Sequence, residues 1–419
     1  MTSQADMHRG LALRSYLAAS HLIALAAKPV LRRRLQRGKE HATRWQEKMG
    51  RNFAPRPEGS LIWLHAVGLG EVLSLRGLIE RLGQKRPDLS FLVTSTTATS
   101  SEVFAKNAPP RTTHQFLPLD APAFRRRFLE HFRPDLCIWV EQDLWPGMVS
   151  DLAGRQVPQC MVAARMNAAS FRSHQKASGL YRDLYSAMAM ITAQDDATAA
   201  HLASLGAKVK VTGSLKPAAP LLACDTAELE RLQETLGQRT IWAVAPAHHD
   251  DIALAYDAHQ KLRETDPRAL LIIAPRMPQD AIEELGPRRS KGEVPATGDA
   301  VWLCDTFGDL GLIYRLAQTV LIGGTFGDVE GHNPWEAAAL GCAILHGPRV
   351  ANFKTDYAQL AAVSGAMTVA TADDIAAALV SADLSRIAEN AGQAIKSASA
   401  QTDALAADVL DLFDRTTAT

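Results

Sequence analysis

From residue 61 onward, short runs dense in aliphatic and aromatic residues alternate with longer stretches whose apolar positions recur at helical spacing. This alternation predicts strands separated by amphipathic helices, and hence a mostly parallel sheet. The first strand series is LIWLHA (61–66), SFLVTST (90–96), LCIWVE (136–141), QCMVAARM (159–166), AMAMITAQ (187–194) and KVKVTG (208–213). The polar, helical stretch TAELERLQETLGQRT then intervenes. A second series follows: IWAVA (241–245), LLIIAP (270–275), VWLCD (301–305), TVLIGG (319–324), CAILHG (342–347) and AMTVA (366–370). The expectation is an α/β protein with two Rossmann-like domains, residues 39–220 and 239–400, joined by a linker at 221–238. The chain is Ala-rich and helical from Asp373, with 401–419 read as a terminal helix or tail. Sheets of this type bind ligands beyond the carboxyl ends of their strands, so two such domains would face a central cleft there.

Residues 1–38 have a different texture. From Leu11 to Leu31 the chain is apolar in bulk, but Arg14, His21, Lys28 and Pro29 interrupt it. A bilayer core needs about 20 mainly apolar residues, and a signal peptide would need a cleavage site where this chain has KPVLRRRLQRGK. Between Lys28 and Arg51 nine basic residues stand against Glu40 and Glu47, a local net charge of about +7. An apolar helix followed by such a collar suits a segment lying in the interface of an anionic cytoplasmic leaflet. The alternative is a helix packed on its own domain.

Composition narrows the class further. With 419 residues, 47% of them hydrophobic and 21% charged, disorder and fibrous sequence are excluded and at least two cores are expected. Forty-five basic residues balance 45 acidic ones, so no global field recruits nucleic acid. The five cysteines, 137, 160, 224, 304 and 342, are odd in number and form no C-x-x-C pair, which argues against a disulfide framework and structural zinc.

Several strand ends carry polar chemistry. In HAVGLGE, Gly68 and Gly70 turn the chain and Glu71 opens a helix, where its carboxylate is either a base or a first-turn charge stabilising that helix. Glu141 follows the apolar strand LCIWV, and is either a ligand-edge carboxylate or a turn cap. Lys216, in VTGSLKP, follows a strand and a glycine and could neutralise developing negative charge, or simply be solvated. In GGTFGDVEGHNPWEAAALG, Asn333 fits an N-cap, Pro334 the first helical position and Glu336 the capping-box partner; the free N–H groups of that helix would also receive a phosphate. Pro275-Arg276 and Gly308-Asp309-Leu310 occupy other strand-end loops of the same domain. His248 and His249 lack a second ligand pair at metal spacing, and the chain has no D-x-D triplet, so no metal is expected.

Taken together, these motifs resemble the 3-deoxy-D-manno-octulosonic acid (Kdo) transferases of lipopolysaccharide biosynthesis, which are membrane-associated GT-B glycosyltransferases. The likeness rests on HAVGLGE, TSTTATS, RPDLCIWVEQDLWP, VTGSLK, LLIIAPR, DTFGDLGLIYRLA and GGTFGDVEGHNPWEAAALG, in family order. The resemblance implies Glu71 as general base and Glu141 and Lys216 as transition-state stabilisers. It also implies CMP held by Pro275, Arg276, Gly308, Asp309, Leu310, Asn333, Pro334, Trp335 and Glu336. The chain departs from the family at Gly68, where Ser is usual, at Gln142-Asp143 and Gly147, where Thr-Glu and Asn are usual, at Met277 in place of His, and at Pro217-Ala218 after Lys216.

The expected function is thus metal-independent, inverting transfer of Kdo from CMP-Kdo to a lipid A precursor of the lipid IV-A type, at the cytoplasmic face of the inner membrane. Anionic lipids of that membrane would be partners and nucleic acid would not. The alternatives are another GT-B enzyme acting on nucleotide sugars, such as a lipid A disaccharide synthase or an epimerase, and a non-catalytic, membrane-docked nucleotide-sugar binder.

Overall fold

The computed structural model describes residues 7–280 and 283–417. The chain divides into two compact units, Met1–Ala219 with Ala400–Thr419, and Pro220–Ser399.

The first unit holds a seven-stranded sheet of β1 (Leu61–His65), β2 (Ser90–Ser95), β3 (Thr112–Phe116), β4 (Leu136–Val140), β5 (Gln159–Ala164), β6 (Met190–Ala193) and β7 (Lys210–Val211). Their spatial order is β3-β2-β1-β4-β5-β6-β7, and every pairing is parallel. The second unit's sheet contains β8 (Ile241–Ala247), β9 (Leu270–Pro275), β10 (Val301–Leu303), β11 (Thr319–Ile322), β12 (Ala343–His346) and β13 (Met367–Thr368), in the order β10-β9-β8-β11-β12-β13, again parallel throughout. Both are doubly wound Rossmann sheets whose strand order reverses at one place, between β1 and β4 and between β8 and β11. Central strands such as LIWLH and LCIWV are buried along their whole length because helices cover both faces of the sheet.

One strand escapes the apolar pattern. TTHQF forms β3 because neighbouring chain satisfies this edge: Glu47 accepts the Phe116 N–H at 2.9 Å, Arg44 donates to the His114 carbonyl at 2.9 Å, and Gln115 accepts the Ala54 N–H at 3.0 Å.

The expected segment boundaries need three corrections. The supposed linker 221–238 contains the helix Thr226–Leu236, whose Leu232 and Leu236 enter the second unit's core. Residues 401–419 are not a separate tail: the helix Leu384–Thr417 delivers Leu405, Ala406, Val409, Leu410 and Phe413 into the core beneath β1 and β2. The segment 1–38 is part of the first unit. Its helix Leu11–Gln36 buries Leu13, Ser20, Ala27 and Leu31 on one face, at seven- and four-residue spacing, so that face is packed. The opposite face nevertheless leaves Leu11, Leu22 and Leu25 exposed at 82%, 66% and 78%. No helix among the described residues is long and apolar enough to cross a membrane.

Candidate active site

In the first unit, β1 and β4 end side by side at the reversal of strand order, and each is followed by a glutamate. Glu71 lies in the first turn of the helix Leu69–Lys85. Its Oε2 accepts the N–H groups of Val67 at 3.0 Å and Gly68 at 3.2 Å, which fixes the carboxylate. Its Oε1 has no hydrogen-bond partner among the described residues. The two glycines act differently from expectation: Gly68 is extended rather than left-handed, and a Cβ at Gly70 would meet nothing within 4 Å. Neither position therefore adopts a left-handed turn, and at Gly70 the space for a side chain is open.

Glu141 stands directly after β4 in the left-handed region, with φ of 59°. Such a conformation costs a non-glycine residue about 1–3 kcal/mol, and here it directs the carboxylate into the same cavity as Glu71. Burial and then the charge of Glu71 push the Glu141 carboxyl up to about 6; Lys216, Arg165 and a 3.3 Å hydrogen bond from Gln194 pull against that rise. Glu71 and Lys216 therefore each lie within electrostatic reach of Glu141. Lys216 opens a short 3-10 turn, Lys216–Ala218, after β7.

The cavity, about 320 Å³, is also lined by Asp143, which the sequence marks only as a departure from the family, and by Arg165, Asn167 and Ser170, which it does not mark. Asp143 is fixed by 2.8 Å hydrogen bonds from His65 Nε2 and Trp145 Nε1, which outweigh burial and hold it below the usual carboxylate range. His65 Nδ1 meets the Thr94 hydroxyl at 2.8 Å, and that hydroxyl accepts from Trp63 Nε1 at 2.8 Å. The bonds to Asp143 and Thr94 together fix the orientation of the imidazole ring. Asp120 accepts the N–H groups of Gly147 at 2.8 Å and Met148 at 3.1 Å, anchoring the helix Pro146–Gly154. A Cβ at Gly147 would approach Arg125 Nη1 to 2.2 Å, so the guanidinium that packs there explains the glycine.

In the second unit the corresponding reversal lies between β8 and β11. Arg276 follows β9, its N–H bonded to the Ala247 carbonyl at 2.8 Å. His248, after β8, and His332, after β11, have nearly coplanar rings and share one hydrogen bond between Nε2 atoms at 2.8 Å. Burial, then His248 and Arg276, lower His332 to about 4. Asp251 ties this loop to the helix His249–Thr265 by accepting the N–H groups of Gly324 at 2.6 Å and His248 at 2.8 Å. Among the described residues no three His, Cys, Asp or Glu side chains gather as a metal site.

The 333–336 stretch needs correction. Pro334, not Asn333, takes the N-cap position, and the helix Trp335–Ala339 is little more than one turn, too short for a full macrodipole. Asn333 accepts the Trp335 N–H at 3.1 Å and donates to Glu336 at 3.2 Å, while burial pushes the Glu336 carboxyl up. The Trp335 indole is buried and donates to Asp356 at 2.7 Å, leaving only its backbone for a ligand. Gly308 has φ of 95°. Asp309 accepts from Arg289 at 2.8 Å and from Thr306, bonds that outweigh burial and lower its carboxyl; Arg289 also grips Glu228 at 2.8 Å. The Asp309 side chain thus holds its own loop, and Pro275 and Leu310 flank it at strand and helix ends.

The family profile described as "3-Deoxy-D-manno-octulosonic-acid transferase (kdotransferase)" matches residues 43–219. The 3-deoxy-D-manno-octulosonic acid transferase of Haemophilus influenzae is 30% identical over 77% of this chain and 79% of its own length. This chain belongs to the Kdo transferase family. The Bordetella pertussis Kdo transferase is 32% identical over 75% of this chain and 77% of its own. A glycosyltransferase from Rickettsia africae superposes with a TM-score of 0.53 at 11% identity, covering 86% of this chain and 99% of that one. A UDP-GlcNAc 2-epimerase from Neisseria meningitidis gives 0.50 at 14%, covering 81% and 99%. These two likenesses show the fold alone, that of GT-B enzymes. As a Kdo transferase, the protein is a glycosyltransferase of lipopolysaccharide synthesis, and the cavity holding Glu71 and Glu141 falls in the part matched by the profile.

Proposed function

We propose that the protein transfers Kdo from CMP-Kdo to a lipid A precursor of the lipid IV-A type, with inversion and without a metal. The observation that carries the assignment of Glu71 is its geometry: one carboxylate oxygen is anchored by two backbone N–H groups, while the other is left for an incoming hydroxyl in a cavity shared with Glu141. The acceptor hydroxyl gives its proton to Glu71 Oε1 as its oxygen bonds to the anomeric carbon of Kdo. The bond from that carbon to the CMP phosphate breaks, and the electron pair leaves with CMP. Protonation of Glu71 removes one of two neighbouring negative charges, and Lys216 and Arg165 then face Glu141. In the second unit Arg276, Gly308 to Leu310 and Asn333 to Glu336 are proposed to hold CMP. Arg276 would take the phosphate, and Glu336, poised by Asn333, a ribose hydroxyl. We further propose that the exposed Leu11, Leu22 and Leu25, followed by the exposed part of the basic collar, Lys28, Arg32, Arg33, Arg37 and Lys39, seat the enzyme on the cytoplasmic face of the inner membrane. Elsewhere in the collar Lys48 is buried against Glu40 and Arg44 pairs with Glu47.

The test is mass spectrometry of the product formed from CMP-Kdo and a tetraacylated lipid A precursor. A product heavier by one or more Kdo residues, lost in Glu71→Gln, is expected. Turnover of UDP-sugars instead, or CMP binding without transfer, overturns the reading.

A further inference from the structure

A second cavity of about 570 Å³ lies in the first unit beside the N-terminal helix, away from the glutamates, with Arg9, His21, Arg125, Arg126, Asp151 and Arg155 in its wall. Four guanidinium groups against one carboxylate give a formal charge of +3. The floor is rigid and already neutralised. Buried Arg125 donates to Asp151 at 2.7 Å and to the Asp120 carbonyl at 2.6 Å. The rim is not. Arg126 is exposed and has no hydrogen-bond or ion-pair partner among the described residues. Arg155 reaches Glu130 only at 4.0 Å, and Arg9 makes one long bond to the Ser150 carbonyl at 3.3 Å. Cations converging on a concavity repel one another unless an anion is shared between them, and guanidinium groups suit phosphate oxygens in particular.

The setting identifies the carrier of that phosphate. Along the helix Leu11–Gln36 the outward row Leu11, Ala18, Leu22 and Leu25 forms an apolar crest. Beside it runs an exposed basic file, Arg14, His21, Lys28 and Arg32, at spacings of seven, seven and four residues. His21, a member of that file, is also part of the cavity wall. A ligand with its anionic head in the cavity therefore has an apolar surface next to it for its tails.

We propose that this cavity is a binding site for the phosphodiester headgroup of one anionic glycerophospholipid, whose acyl chains run along the crest. The proposal rests on the membrane-seating reading above and goes beyond it: attraction to a charged surface is diffuse and needs no cavity, whereas a headgroup site is saturable by single lipid molecules. It gives the enzyme a fixed height and rotation on the bilayer in addition to affinity.

The experiment uses the full chain and dihexanoylphosphatidylglycerol below its micellar concentration, followed by calorimetry, with dihexanoylphosphatidylcholine and inorganic phosphate as the other probes. One saturable site is expected for the anionic lipid, with weaker binding of the zwitterionic lipid and of phosphate. Arg126→Ala should weaken it about tenfold, equivalent to about 1.4 kcal/mol, and an added Arg9→Ala should weaken it further. Arg126 has no partner to lose, so the variant should melt like the parent. Replacing Arg32 and Arg33, outside the cavity, should leave single-lipid binding unchanged while weakening attachment to phosphatidylglycerol vesicles. Equal affinity of parent and Arg126→Ala, or no saturable binding, overturns the proposal. Phosphate binding as tightly as the lipid shows a simple anion site and overturns the lipid assignment. The membrane reading fails separately, if substitutions on the crest leave vesicle attachment intact.

Discussion

Replacing Glu141 by Gln should stabilise the protein while damaging catalysis, and the gain should depend on pH. The Glu141 carboxyl is raised from 4.5 to about 6 in the folded chain, chiefly by burial and by the charge of Glu71. Below pH 4.5 the carboxyl is protonated in both the folded and unfolded states and costs nothing. Between 4.5 and 6 the unfolded chain has already released its proton while the folded chain still binds it, so stability falls as pH rises; above 6 the penalty is complete. At about 1.4 kcal/mol per pH unit the full penalty is on the order of 2 kcal/mol. Glutamine keeps the shape and the bond from Gln194 but never carries the charge. At pH 7.5 Glu141→Gln should therefore raise the melting temperature by about 4–8 °C, the shift that 2 kcal/mol produces in a unit of this size. The gain should vanish near pH 4.5. Thermal unfolding of parent and variant from pH 4.5 to 8, with Kdo transfer measured in parallel, is the assay. A variant less stable than the parent at pH 7.5, or a gain unchanged by pH, would mean that Lys216 and Arg165 over-compensate the charge and that the site is not poised as argued. In a Glu71→Gln background the gain should be smaller and complete at a lower pH, because one of the two raising influences is gone while the unfolded value is unchanged.

Glu71→Gln alone should lower turnover by about 10²-fold or more while CMP affinity by calorimetry stays nearly unchanged; near-normal turnover would remove Glu71 as the base. Glu336→Ala should weaken CMP binding, and a drop in melting temperature without any loss of affinity would make Glu336 purely structural. Changing Leu11, Leu22 and Leu25 together to Ser should release the enzyme from phosphatidylglycerol vesicles in a flotation assay without lowering its melting temperature, since all three are exposed and the packed face of the helix is untouched. Gly147→Asn, which restores the residue usual in the family, should destabilise by about 1–3 kcal/mol in denaturant titration, because Arg125 already fills the space its Cβ needs.

The two parallel sheets were legible because strands covered on both faces are apolar throughout, a signal that survives without any partner in view. TTHQF was not legible, since β3 is held by Glu47, Arg44 and Ala54, residues far outside the strand's local pattern. Glu71, Glu141 and Lys216 could be picked out as polar groups at strand ends, and the fold does bring their charges together. Arg165 and Gln194 follow β5 and β6 in the same way, so the same criterion applied to every strand would have found them. His65 gave no such signal, because its bond to Asp143 spans 78 residues of chain. The capping expected at Asn333 slipped by one residue: an asparagine that accepts from two positions ahead reads the same in sequence as one that caps. The N-terminal helix was read as membrane-seating or packed because it has two apolar faces, and only packing tells which is covered.

The helix Leu384–Thr417 bears on the order in which the protein is made. Residues 400–419 complete a unit whose other residues all precede position 220, and Leu405, Val409 and Phe413 belong to the core under β1 and β2. A chain emerging from the ribosome presents the whole second unit, residues 220–399, before the first has its last core residues. Domains generally fold as they emerge, N-terminal first, yet here the N-terminal unit must wait with an open apolar seam until the helix ending at Thr417 has emerged. A premature stop near residue 400 would leave a second unit able to close and a first unit with that seam exposed, a ready substrate for chaperones and proteases.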